Sequence, residues 1–213
     1  MMRIGIDLDG TIADSIASVV AILNMNYNLN AINEDITLYN VWENSKFKGA
    51  TEQDVINATK DAWKDYKSIK LVDQRIPDIL GRLGNAFELH CTTATLAEMH
   101  EIEGFFHHNK IKMQSIIRRS NPIEKFNSGM NMYVVDCANI VDQAVETGAR
   151  VVLLKQPWNS RFAGMNGNRE LLKIAENWAD VEQLVLKEYE RREKSKGLIR
   201  NSMLRKQKAR NTT

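Results

Sequence analysis

The residues Arg3-Ile4-Gly5-Ile6-Asp7-Leu8 form a short apolar run with period-two alternation that stops at Asp9-Gly10, a pattern that predicts a buried strand delivered into a tight turn. Two carboxylates two residues apart at the end of that strand, Asp7 and Asp9, cannot both be explained by folding, because unpaired charge is costly to bury. A divalent cation would compensate them. The pair could then divide labour: one attacks phosphorus, while the other, its pKa raised by its neighbour, gives a proton to the leaving oxygen. Gly10 lets the backbone turn sharply beneath a phosphate, and Thr11 offers a hydroxyl or amide donor.

From Ser15 to about Val72 the periodicity is helical, with Ile16, Val19, Val20 and Leu23 on one face and Val55, Ala58, Ala62 and Trp63 on another, so a helical insertion follows the first strand. It carries Tyr27, Tyr39, Trp42, Phe47, Trp63 and Tyr66, which serve either as its own small core or as a platform for a nucleobase. Helix and strand then alternate, with a helix over 76–83, strands over 87–91, 112–117, 132–135 and 150–154, helices over 96–108 and 140–147 between them, and a last helix from about 181 to 194. This rhythm predicts an α/β fold with a Rossmann-like parallel sheet, helices on both faces and ligands at the carboxyl ends of the strands. The expected organisation is a core of residues 1–15 and 74–195, a helical cap of residues 16–73 and a basic tail of residues 196–213.

The chain of 213 residues, 43% hydrophobic and 26% charged with only three prolines, is composed as a globular protein. No run approaches the roughly 20 apolar residues of a membrane span, and Met1-Met2-Arg3 leads straight into a strand, so the expectation is a cytoplasmic protein with no membrane partner. Cys91 and Cys137 lack any ligand spacing and read as small buried residues, and the adjacent His107 and His108 read as a solvated pair. The net charge of +2 is uneven: from Lys187 onward there are ten Lys or Arg and three Glu. Such a run is usually a solvated helix, and nucleic acid is the less favoured partner for it.

Asp7-Leu8-Asp9-Gly10-Thr11 resembles the DxDGT first motif of the haloacid dehalogenase-like (HAD) superfamily. The resemblance implies a HAD fold with the cap inserted after the first strand, Asp7 as nucleophile and Asp9 as acid/base. Thr92 looks like the second-motif hydroxyl that binds the phosphoryl group, with Thr93 as the competing choice, and Lys125 like the third-motif cation. Asp136 looks like the fourth-motif acid, which would hold Mg2+ together with Asp7 and the backbone oxygen of Asp9. Gly10, Thr11, Thr92, Thr93 and Lys125 would line the phosphate. The sequence departs from the superfamily where a second fourth-motif carboxylate usually stands, since Cys137, Ile140 and Val141 occupy those places. Asn139 fits an asparagine variant, and Asp142 is one residue beyond the usual spacing.

Within the superfamily the likeness is to the 5'(3')-deoxyribonucleotidases, through the helical cap, the loop Leu153-Leu154-Lys155-Gln156-Pro157-Trp158-Asn159 and Asn177-Trp178, although Ala94 replaces an arginine common in relatives. It implies a Mg2+-dependent phosphomonoester hydrolase working through an aspartyl phosphate on a small phosphorylated substrate, a (deoxy)nucleoside monophosphate. The alternatives are a catalytically weakened binding or regulatory protein with a basic tail, and a phosphatase for another small metabolite.

Overall fold

The structure, a computed structural model, describes residues 1–162 and 170–210. Strands β1 (Met2–Ile6), β2 (Phe87–Thr93), β3 (Ser115–Arg118), β4 (Met132–Val135), β5 (Val151–Leu154) and β6 (Leu172–Ala175) alternate with helices α1 (Ser15–Tyr27), α2 (Glu52–Lys64), α3 (Ile76–Gly84), α4 (Met99–His108), α5 (Val141–Glu146) and α6 (Trp178–Arg210). The strands make one parallel sheet in the order β3-β2-β1-β4-β5-β6. This is the Rossmann-like arrangement that the alternation predicts.

Period two decides what each face holds. Ile4, Ile6 and Leu8 join Leu89, Cys91, Met132 and Val134 in one core with the buried stripes of α3 and α6, whereas Tyr133, Val135, Val151 and Leu153 join Phe126, Val141 and Ala144 on the other face. On that second face Gly5 is required by close approach, because a Cβ there would stand 2.8 Å from the Tyr133 ring and 3.0 Å from Thr92.

The insertion leaves and re-enters the core side by side. Asp14 N–H donates to Lys70 C=O and Val72 N–H to Ile12 C=O, at 2.8 and 3.0 Å. Val19, Val20, Leu23, Ala31, Ile36, Val41, Phe47, Val55, Ala58 and Ala62 form a separate apolar cluster inside it. The periodicity suggested helix throughout, but Asn28, at φ +52°, ends α1, and three short helical turns (Asn33–Asp35, Val41–Glu43 and Ser45–Phe47) lead to α2.

Two expectations at the C-terminal end are corrected. The strand at 150–154 is not the last, since β6 pairs beyond β5. Its Leu-Lys-Ile-Ala sequence is half exposed at the sheet edge and so lacks an alternating signature. The final helix begins earlier than expected, at Trp178, because the Asn177 side chain caps it by accepting from Ala179 N–H at 2.9 Å, and it continues to Arg210. The tail side chains beyond Ser195 lie outside the described residues. Cys91 and Cys137 are buried free thiols, and His107 and His108 are exposed. Among the described residues no helix is long and apolar enough to cross a membrane.

Candidate active site

The strand order places the carboxyl ends of β1, β2 and β4 side by side at the middle of the sheet, where the strands depart in opposite directions. Asp7 extends β1 by one residue, its N–H donating to Val134 C=O at 2.9 Å, and Asp136 follows directly after β4. Between them and the insertion lies a cavity of about 220 Å³. Asp7, Asp9, Asp136, Lys125, Thr93 and Thr95 line its core side, and Ile16, Ile36, Tyr39, Val41, Trp42 and Val55 line the cap side.

Lys125, in the helical turn Pro122–Ser128, is buried and ion-paired with the buried carboxylate of Asp7, whose other oxygen accepts from Leu8 N–H at 2.9 Å. Burial alone would lower the lysine pKa, but the charge and hydrogen bond of Asp7 outweigh it and the net shift is upward. Asp136 is 5% exposed. Burial first, and the charge of Asp7 second, push its pKa to about 7 against the opposing pull of Lys125. One ammonium therefore does not offset two buried carboxylates.

The Asp9 carboxyl, which lines the same cavity, is held by the start of α1 and the end of α2. Its Oδ1 accepts from the Ser15 hydroxyl at 2.6 Å and from the Trp63 indole N–H at 3.0 Å. Burial raises its pKa, hydrogen bonds from Ser15 and Thr95 oppose the rise, and the charge of Asp7 adds to it. Among the described residues no three acidic, histidine or cysteine side chains converge as a metal cage. The donors that remain are the carboxylates of Asp7 and Asp136 and the main-chain oxygen of Asp9. That hard, incomplete oxygen set fits Mg2+, which keeps much of its water, and the uncompensated charge at Asp136 is what such a cation would relieve.

Gly10, at φ +68°, has no room for a side chain: a Cβ would stand 2.2 Å from Asp136 Oδ2. Thr11, expected at the phosphate, instead donates its hydroxyl to Asp136 Oδ1 at 3.4 Å and its N–H to Leu8 C=O. Thr92 Oγ1 is buried with no hydrogen-bond partner among the described residues, while Thr93 lines the cavity and accepts from Thr95 N–H at 3.1 Å. Asn139 is exposed in a separate groove beyond Tyr39 and Trp158 rather than in the cavity. The side chains of Ile140 and Asp142 lie outside the described residues.

Sequence reasoning assigned no role to several residues that shape the site. Trp158 N–H donates to Asp136 Oδ2 at 3.1 Å, and the Asn159 amide donates to the Asp136 and Leu154 carbonyls at 2.7 and 2.8 Å. The Gln156 amide holds Gly10 C=O at 2.7 Å, so the Gln-Pro-Trp-Asn loop braces Asp136 and the turn at Gly10. Tyr39 reaches in from the insertion to line the cavity beside Cys137, the residue that follows Asp136. Burial first, and the charge of Asp136 second, lift the Cys137 thiol to about 11. The loop motif was visible in the sequence; its partners were not.

No protein-family model and no curated protein matches the chain. Solved structures do. The chain is similar to a haloacid dehalogenase-like hydrolase from Streptococcus pneumoniae (TM-score 0.55, 16% identity, covering 87% of this chain and 98% of that one). It is also similar to a structure described as a predicted phosphatase from Clostridium acetobutylicum (TM-score 0.59, 15% identity, 87% and 98% covered). A third match is protein tyrosine kinase A of Mycobacterium tuberculosis (TM-score 0.63, 17% identity, 86% and 97% covered). At these identities the likeness is one of fold.

Proposed function

We propose, on the premise of a haloacid dehalogenase-like fold, that this chain is a Mg2+-dependent phosphomonoester hydrolase acting on nucleoside monophosphates. The fold alone does not decide this, since a tyrosine kinase matches it too, so the reading rests on the site. The observation that carries it is the buried Asp7–Lys125 pair one strand away from Asp136, at the floor of a cavity roofed by the insertion.

Asp7 attacks phosphorus, Lys125 balances the charge of the nucleophile and the phosphoryl oxygens, and the hydroxyls of Thr92 and Thr93 supply donors. Asp9 gives a proton to the leaving oxygen, a role suited by the burial that raises its pKa. Water then releases phosphate from Asp7, with Asp9 taking the proton back. Asp7, Asp136 and the Asp9 main-chain oxygen would hold Mg2+, which when bound supplies positive charge to the phosphoryl group. The insertion excludes water and contacts the leaving group.

The cavity wall supports the substrate class. Among the described residues lining it Lys125 is the only cation, while the cap side is apolar and aromatic apart from Asn40. A leaving group with a second phosphate or a carboxylate would find no second cation, whereas a neutral nucleoside with a flat base suits Tyr39 and Trp42. Buried free thiols at Cys91 and Cys137 accord with the cytoplasm, where we place the activity.

The test is release of phosphate from a panel of nucleotides and sugar phosphates with Mg2+ or EDTA. Turnover of nucleoside monophosphates that needs the metal and falls by at least ~10³-fold in Asp7→Asn is the expected result. The second reading, a binding protein with weakened catalysis, is favoured by Cys137 where an acid usually stands and by Trp158 N–H occupying an oxygen of Asp136. Tight binding of nucleotide with no release from any ester would establish it instead.

A further inference from the structure

We infer that Trp63 is a positioning residue for Asp9: its indole N–H decides which carboxyl oxygen carries the proton, and so ties the acid to the docking of α2. The inference rests on the phosphomonoesterase reading above. Trp63 stands in the last turn of the insertion's second helix, yet it is fully buried and belongs to the main apolar core rather than to the cluster inside the insertion. Its ring meets Phe105 of α4 edge-on, with centroids 5.6 Å apart. Packing on both sides leaves the N–H aimed at Asp9 Oδ1, at 3.0 Å.

Two groups bond Oδ1 of this carboxyl: the hydroxyl of Ser15 at 2.6 Å and the indole of Trp63 at 3.0 Å. A hydroxyl can rotate and accept, so Ser15 tolerates a proton on either oxygen of Asp9. An indole N–H only donates. With Trp63 in place Oδ1 accepts, and the acidic proton is favoured on Oδ2. If α2 moved off the core, that constraint would vanish and the proton could settle on Oδ1, in a hydrogen bond to Ser15 instead of facing the ester.

In the reacting complex a carboxylate oxygen of Asp7 forms a bond to phosphorus as the bond from phosphorus to the ester oxygen breaks. The leaving oxygen takes the electron pair together with the Oδ2 proton of Asp9, giving a neutral alcohol and an Asp9 carboxylate. Water later adds to phosphorus, returns a proton to Asp9 and frees Asp7. Misplacing the Oδ2 proton therefore hurts the first step, and hurts it in proportion to how much the leaving group needs a proton. An alkoxide leaving from a nucleoside needs one; nitrophenolate, a stable anion, does not.

The experiment compares kcat/KM for a nucleoside monophosphate and for p-nitrophenyl phosphate, a ratio that reports only steps through departure of the leaving group, in wild type and Trp63→Phe. The expected loss is about tenfold greater for the nucleoside ester than for the nitrophenyl ester. Because Phe leaves a void, the same comparison is made with β-(3-benzothienyl)alanine installed at position 63, which keeps the bicyclic shape and puts sulfur in place of N–H. Equal losses on the two esters in the benzothienyl protein would overturn the role of Trp63. Failure of the wild type to release phosphate from either ester would instead overturn the reading of the site.

Discussion

Lys125 is 3% exposed and faces Asp7, and its ion pair is a demand of function more than of folding. Each charge pays a large desolvation cost, and an apolar residue of the same shape would be easier to bury. Lys125→Met nevertheless leaves Asp7 and Asp136 as neighbouring buried carboxylates with no cation. The expected result in EDTA is a stability loss of about 3 kcal/mol by urea unfolding. The double variant Lys125→Met, Asp7→Asn should recover most of it, since the orphaned charge is gone; a double variant no more stable than the single one would show that the pair is not the source of the loss.

Among the elements, the irregular segment between α1 and α2 depends on one side chain. Asn44, 3% exposed, donates to the carbonyls of Leu38, Asn40 and Val41 at 3.0 to 3.1 Å and accepts from the N–H groups of Thr37 and Leu38 at 2.7 and 2.9 Å. These contacts stand in for the backbone ladder that a regular helix would provide, and they position Tyr39, Val41 and Trp42 over the cavity. Asn44→Ala orphans several buried groups at once. It should lower stability by about 2 kcal/mol and raise KM for the nucleotide more than it lowers kcat, because the loss is in contacts to the leaving group. Steady-state kinetics showing kcat alone affected would mean that this segment does not contact substrate.

For the whole molecule, stability should follow pH through Asp136. In the unfolded chain its carboxyl titrates near its ordinary value of 3.8, but in the fold it keeps its proton to about 7. Between those values the folded state binds more protons than the unfolded one, so stability falls as pH rises from about 4 to 7 and, for this group, is flat above. In EDTA the wild type should lose on the order of a few kcal/mol across that window relative to Asp136→Asn, and Mg2+ at pH 7.5 should restore stability to the wild type alone. Parallel melting curves for the two proteins at pH 5 and pH 7 would contradict it. Asp7, Asp9 and Gly10 were legible beforehand because two acids and a glycine at the end of an apolar strand have few structural explanations, and the alternation of helix and strand made the parallel sheet legible for a similar reason. Trp63, Trp158, Asn159 and Asn44 were not, since a tryptophan or asparagine in sequence carries no mark of which oxygen it will meet; neither was β6, an edge strand without two buried faces to leave a pattern. Local chemistry and periodicity, then, determined by themselves the fold class and where along the chain the acids stand, because those depend on neighbours a few residues apart. Which carboxylate pairs with Lys125 and which is held by Ser15 and Trp63 was decided only by tertiary structure, because strand order and the docking of α2 bring together groups 54 to 118 residues apart.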